Sequence, residues 1–257
     1  MTGFWIPFLG LSFMVLVWVI SRGFQLGLDR ELLIGTARAM IQLFLMGFLL
    51  TWIFRWSSPY WLVFPLLGML AVAAANAQQK APRLPRIFWR IFAALALSEG
   101  VAMLLLLGLR IVAPEAKTII PLSGMVIGNA MVAAGLFYNR LLQAQRERED
   151  HVLTLLALGL PSAYAYRFLA LDALKGAMIP TLDALKTVGL VQLPGMMTGM
   201  ILAGASPLEA VTYQILIMYA IAGTAAVTSM ALYWFSPGYF FTPQHQRKEE
   251  SASPKST

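Results

Sequence analysis

Long apolar runs, punctuated by short clusters of charge, organise this chain from end to end. Seven runs stand out: residues 1–21, 39–54, 56–79, 91–109, 118–139, 187–208 and 210–246. A helix crossing a bilayer needs about 20 predominantly apolar residues, with its backbone hydrogen bonds satisfied internally. The runs therefore predict an all-α membrane protein of about seven transmembrane helices. The second run is short, but the Arg38 side chain can snorkel and let that span begin a turn earlier. Only Glu99 interrupts the fourth run.

Composition agrees with the pattern. Of 257 residues 59% are hydrophobic and 12% charged, roughly half the charged fraction of an ordinary soluble domain. Charge placement adds an orientation. With the amino terminus outside, 16 of the 19 Lys and Arg residues fall in inner segments, leaving Arg55, Arg110 and Lys117 outside. That asymmetry follows the positive-inside rule and predicts an inner-membrane or plasma-membrane protein with a cytoplasmic carboxyl terminus. The net charge of +7 then fits an anionic cytoplasmic leaflet and gives no ground for a nucleic-acid partner. No basic residue precedes the first run and no small-residue cleavage site follows it, so it reads as a retained span. The absence of cysteine excludes disulfides, thiolate metal sites and cysteine nucleophiles.

Two helix starts are written into the external loops. Ser206-Pro207-Leu208-Glu209 combines a capping serine, a proline at the first helical position and a glutamate three residues after the cap. Ser58-Pro59 is similar. Residues 25–38 place Leu26, Leu33 and Ala37 among Asp29, Arg30, Glu31 and Arg38, which fits an interfacial amphipathic helix or an ordinary loop helix.

The distinctive segment is the third cytoplasmic one, residues 140–186, far longer than a helix-to-helix turn needs. Its first part is a mixed-charge helix, with Arg146 and Asp150 spaced to pair. Its second part is apolar enough to need a partner, and Gly159-Leu160-Pro161 breaks it into a helix pair. Tyr164, Tyr166, Arg167, Phe168, Asp172 and Lys175 follow the break. Such a pair is either a docking surface or a fold-back onto the membrane face. Asp183 and Lys186, at the expected cytoplasmic mouth of the sixth span, read as a structural ion pair. Residues 1–240 form one permease domain in this reading, and residues 241–257 have the composition of a disordered tail.

Polar residues at membrane depth are costly unless paired. Asn129 lies mid-way along the fifth run, Asn76 and Gln78 end the third, and Gln42 and Gln192 begin the second and sixth. Helix-to-helix hydrogen bonds account for any one of them. Asn129 and Gln192 lie on the two runs that carry Gly124-Met-Val-Ile-Gly128 and Gly195-Met-Met-Thr-Gly199, whose spacing allows close helix approach, so the pair is also a candidate for a shared path. Met125, Met131, Met196, Met197 and Met200 cluster on the same runs; thioethers suit soft metal ions and are equally common core fillers. Glu99, the one carboxylate deep in a span, is either a functional group or a paired or protonated one. No nucleotide-binding loop and no H-E-x-x-H is present, and His151 and His245 lie outside the spans, so any ATP use falls to another chain.

Gly124-Met-Val-Ile-Gly-Asn-Ala-Met-Val-Ala-Ala-Gly-Leu-Phe-Tyr-Asn139 and Pro180-Thr-Leu-Asp-Ala-Leu-Lys-Thr-Val-Gly-Leu-Val-Gln-Leu-Pro-Gly-Met-Met-Thr-Gly199 resemble signature stretches of the FetB-type permeases. Arg38-Ala-Met-Ile-Gln-Leu and Ala75-Asn-Ala-Gln78 match as well. These permeases are the membrane subunits of an iron-export ABC transporter family, with plant relatives linked to aluminium tolerance. The resemblance covers about residues 30–230. It implies two permease chains per complex, a cytoplasmic ATPase partner that uses ATP-Mg, no cofactor on this chain, and a coupling role for the long cytoplasmic segment.

Gly159, nine residues and Leu169-Ala-Leu171 are similar to the docking loop of many bacterial permeases, although Leu153-Thr-Leu155 and Asp172 depart from it. The coupling residues so implied are Leu158, Gly159, Tyr164, Arg167 and Asp172. The substrate path is expected among Met125, Asn129, Met131, Gln192, Met196, Met197, Met200, Glu99 and Asn76. Export of iron or another metal is the leading expectation. A non-metal solute such as a nucleotide sugar, or an ion-coupled secondary transporter using Glu99, is the alternative.

Overall fold

The computed structural model describes residues 6–54, 59–81 and 86–237. All the named elements among them are helical. They are α1 (Ile6–Gly23), α2 (Asp29–Ile53), a 3-10 turn at Pro59–Leu62, α3 (Val63–Gln78), α4 (Ile87–Gly108) and α5 (Ala116–Glu147). There follow α6 (Glu149–Ala157), α7 (Ser162–Thr187), α8 (Gly195–Leu202) and α9 (Pro207–Phe235). Residues 241–257, read above as a tail, and Ser58 lie outside the described residues.

The chain divides into two units, residues 1–57 and 58–257. In the first, α1 and α2 form a hairpin. Its turn places Gln25 and Gly27 at φ 53° and 69°, and Arg22 pairs with Asp29 at 3.5 Å while lying over the Trp18 ring. Residues 29–38 are the first turns of α2, so they belong to one 25-residue helix and not to a separate interfacial one. Almost nothing on α2 is buried: Leu43, Leu45 and Phe48 are all exposed.

In the second unit α5 is the spine, packing on α3, α4, α7 and α9. The contact faces are rich in alanine: Ala74, Ala94, Ala130, Ala134, Ala170 and Ala173 have no exposed surface. Small side chains let backbones approach closely where apolar burial gives little drive between helices. Phe137, Tyr138 and Leu141 fill the space between them.

Hydrogen bonds close one end of the bundle. Tyr138 donates to Ser236 Oγ at 3.0 Å, since Ser236 itself donates to the Leu232 carbonyl. Tyr166 donates to the Tyr233 carbonyl at 2.8 Å, and Arg90 donates to the Phe235 carbonyl. The same end carries Lys80, lying against Gly135, and Arg140, lying against Gly176.

Four helices, α2, α4, α5 and α9, are long and apolar enough to cross a membrane, and α3 and residues 9–23 of α1 are shorter apolar helices. Between Arg90 and Arg110, α4 has no basic residue, and the rise is about 30 Å, the thickness of a hydrocarbon core. The capping pattern forms as expected: Glu209 N–H donates to Ser206 Oγ at 3.2 Å, with Pro207 at the first helical position.

Two further expectations are corrected. Residues 187–208 do not form a single helix: α7 begins within the 140–186 segment and runs on to Thr187, the chain turns irregularly through 188–194, and α8 has only 8 residues. Gly189 at φ 83° and Pro194 break the run, because neither a left-handed residue nor a proline continues a helix from before it. Arg146 and Asp150 do not pair either, because α5 ends at Glu147 and the chain bends at Arg148.

Candidate functional site: a cavity walled by α5, α7, α8 and α9

The irregular turn after α7 opens a cavity of about 270 Å³. From α5 it is lined by Met125, Asn129, Val132, Ala133 and Leu136. Met125, Asn129, the Val132–Ala133 pair and Leu136 recur at three- and four-residue steps and share a helix face. From α7 come Ala177, Pro180, Thr181 and Ala184; from the turn and α8, Val188, Gln192, Pro194, Gly195 and Met196; from α9, Gln214, Ile217, Met218 and Ile221. Pro180 lacks the N–H that would bond to the Gly176 carbonyl, so it loosens α7 at the cavity wall.

Three amides reach this space. Asn129 donates from Nδ2 to the Met125 carbonyl at 2.8 Å, which leaves its oxygen as an acceptor. Gln192 lies in the turn, where its own carbonyl accepts from Gly189 N–H at 3.0 Å. Gln214 is buried, and its Oε1 has no hydrogen-bond partner. A buried acceptor without a donor is uncommon in folded proteins, and here it lines a cavity.

Of the path residues expected from sequence, Met125, Asn129, Gln192 and Met196 come together. Met131 is on another face of α5 and packs into the core. Met197 and Met200 lie on α8 and are not among the lining residues, and Asn76 is exposed at the end of α3. Glu99 is buried between α4 and α5 beside Ser123, with neither carboxyl oxygen in a hydrogen bond of regular geometry. Sequence reasoning missed Gln214 and Met218; Gln214 was visible as a polar residue within the last apolar run.

Chemically, the lining is neutral: thioethers from Met125, Met196 and Met218, amide oxygens, and aliphatic side chains. No group of three or more His, Cys, Asp or Glu residues is placed to hold a metal among the described residues. Such a lining suits soft cations or solutes bound by hydrogen bonds and apolar contact.

The implied coupling residues sit at the far end of α7. Leu158 and Tyr164 are exposed, 74% and 57%, on either side of the turn between α6 and α7. Gly159 occupies φ 80° there, a conformation that glycine adopts without strain. Arg167 is exposed on the same helix. Asp172 pairs with Arg148 at 2.6 Å, and the Arg148 guanidinium lies over the Phe168 ring. His151 stacks on Phe168 as well, with ring centroids 5.2 Å apart.

Long apolar helices around an alanine-rich core define a multi-pass helical membrane protein. The chain belongs to the uncharacterised protein family UPF0014, which matches residues 6–241. It is 41% identical over 241 residues to UPF0014 membrane protein YjkA of Bacillus subtilis, covering 94% of this chain and 96% of that one. It is 34% identical to the "probable iron export permease protein FetB" of Escherichia coli, over 93% and 92% of the two chains. A third relative, the protein ALUMINUM SENSITIVE 3 of Arabidopsis thaliana, is 34% identical over 93% of this chain and 88% of its own. These matches show the family to which the signature stretches pointed. No solved structure matches the chain.

Proposed function

We propose that this chain is the membrane-spanning permease subunit of an ABC transporter, exporting iron or another metal with energy from a separate ATPase. One observation carries the reading. A single helix, α7, joins the exposed surface at Tyr164 and Arg167, next to Leu158, to the cavity wall at Ala177, Pro180, Thr181 and Ala184. A partner that moves the α6–α7 pair would move the wall of the cavity directly. Similarity to the probable iron export permease of Escherichia coli supports transport and, by itself, iron as cargo.

In this reading the chain binds no cofactor, and ATP-Mg is bound and hydrolysed by the partner. Two permease copies assemble in the inner or plasma membrane, with the amino terminus outside and the α6–α7 turn in the cytoplasm. The basic residues Lys80, Arg90 and Arg140 at one end of the bundle support that orientation. The path runs through the cavity lined by Met125, Asn129, Gln192, Met196 and Gln214. Glu99 lies elsewhere, so the lining supports ATP-driven transport over ion coupling through that carboxylate. Co-reconstitution of the chain with its ATPase in vesicles should give ATP-dependent uptake of iron(II) into inverted vesicles. Absence of any association with an ATPase overturns the reading.

A second cargo is favoured by a specific feature, the lack of any carboxylate or imidazole in the cavity lining. That lining suits a polar non-metal solute, such as a nucleotide sugar, better than a bare hard cation. Stimulation of ATP hydrolysis by such a solute and not by iron would decide for it.

A further inference from the structure

Among the described residues Glu99 is the one buried charged side chain, and no helix packed on α4 brings it a counter-charge. Those helices are α3, α5 and α9. Helix α3 carries no charged residue, α5 none between Lys117 and Arg140, and α9 none after Glu209. On α4 itself Arg90 and Arg110 stand about 14 and 17 Å away along the axis. A lone charge inside a span is costly, so such a group is held against a partner, a cation or water. Neither oxygen of Glu99 has a hydrogen-bond partner of regular geometry.

What surrounds the carboxylate is a hydroxyl and thioethers. Ser123, fully buried on α5, lies beside Glu99 and donates to the Met103 thioether at 3.9 Å. Met103 is one turn beyond Glu99 on α4, so the two side chains share a helix face. From α3, the Met69 methyl group lies against Gly124, where a Cβ would meet it at 3.2 Å. The glycine leaves the room that this side chain occupies. Met103 also packs on the apolar cluster of Leu106, Leu122 and Ile217, as do Met125 and Met196 of the cavity lining.

We infer that Glu99, Ser123, Met103 and Met69 form a binding site for one soft monovalent cation of the copper(I) class, outside the amide-lined cavity. Charge and softness decide the ligand. One carboxylate without a counter-ion balances a single positive charge, and a divalent ion held there would stay half compensated in a low-dielectric interior. Thioethers select copper(I), whereas magnesium, calcium and manganese take carboxylate and carbonyl oxygens and iron takes imidazole. A proton alone would neutralise Glu99 but would leave the thioethers that converge on residues 123 and 124 without a role. The inference rests on the permease reading for a metal as cargo, and adds where that metal is held and its chemical class.

The full chain, purified in detergent, should bind one copper(I) per molecule in an anaerobic titration against a chromogenic chelator, and X-ray absorption should show the copper bound to sulfur. Met103→Leu and Glu99→Gln should each weaken that binding about tenfold or more. Met131→Leu, whose thioether packs into the core on another face of α5, should leave it unchanged. Thermal unfolding of each variant separates a lost ligand from a lost fold, and Met69→Leu removes a second thioether should Met103→Leu not fold. Copper(I) binding that neither Glu99→Gln nor the thioether variant weakens overturns the site, as does displacement of copper(I) by equimolar iron(II). Absence of any copper(I) binding overturns it too, and leaves Glu99 holding a proton only. None of these readouts uses ATP or the ATPase. The permease reading therefore survives each failure, and fails instead if the ATPase never co-purifies.

Discussion

Helices α5 and α7 lie side by side in antiparallel register, yet they are built on different terms. The middle of α5 presents Val126, Ile127, Ala130, Ala133, Ala134, Phe137, Tyr138 and Leu141 to the interior, all buried. What α7 buries is mostly alanine, at Ala165, Ala170, Ala173 and Ala177, with Tyr166 and Leu169 towards its amino-terminal end. Large interlocking side chains hold one position well, whereas a smooth alanine face slides at little cost because few contacts change. The comparison yields an expectation of a division of labour, in which α5 is the fixed wall of the cavity and α7 the one that yields.

The strongest way to break that comparison is to weaken the wall itself. Phe137→Ala removes a fully buried ring and should cost about 3–5 kcal/mol. Ile179→Ala, on a half-exposed position of α7, should stay within about 0.5 kcal/mol. Thermal unfolding of the isolated chain in detergent measures both, and equal losses would mean that α7 is as fixed as α5.

A smaller but more specific effect is expected at the other end of α7. Tyr164→Glu places a charge on the exposed surface proposed to dock the ATPase and should weaken ATPase co-purification about tenfold, equivalent to about 1.4 kcal/mol. Chain stability should not change, because Tyr164 is exposed. Undiminished complex formation would move the coupling surface elsewhere.

The same contrast explains what was legible in the sequence. Apolar runs locate α4, α5 and α9 because each is one uninterrupted helix whose polar ends mark the membrane faces. The sixth run hides its break, since Leu190, Val191 and Leu193 are as apolar as a helix would be, and hydropathy does not register that Gly189 and Pro194 cannot continue one. Asn129 and Gln192 were readable as a pair because polar residues at membrane depth are scarce. Met131 was not separable from Met125 by type, and only helix phase puts it on another face. Asp183 and Lys186 were readable as an ion pair from their spacing, and they pair at 3.0 Å.

Within the cavity, Gln214→Leu sharpens the comparison by separating stability from function. Its Oε1 is buried without a donor, and removing an unsatisfied buried polar group stabilises by about 1 kcal/mol. Substrate-stimulated ATP hydrolysis should fall severalfold in the same variant. A gain in stability with unchanged stimulation would show that the amide does not meet cargo.

The smallest expected effect on stability concerns the joint between the two helices. Arg148 and Asp172 pair at 2.6 Å with side chains 39% and 47% exposed. Solvent screening at that exposure leaves such a pair worth about 0–1 kcal/mol, so Asp172→Asn should barely move the unfolding temperature. Its consequence for coupling should be larger. The pair ties the bend at the end of α5 to α7, and Arg148 also covers Phe168. If α7 carries the stroke to the cavity wall, this tie is expected to keep it aligned on α5 as it moves. Asp172→Asn should leave ATPase binding intact and lower ATP-driven transport more than ATP hydrolysis. If transport and hydrolysis fall in step, the joint does not transmit the stroke, and α7 must carry it through its alanine face alone.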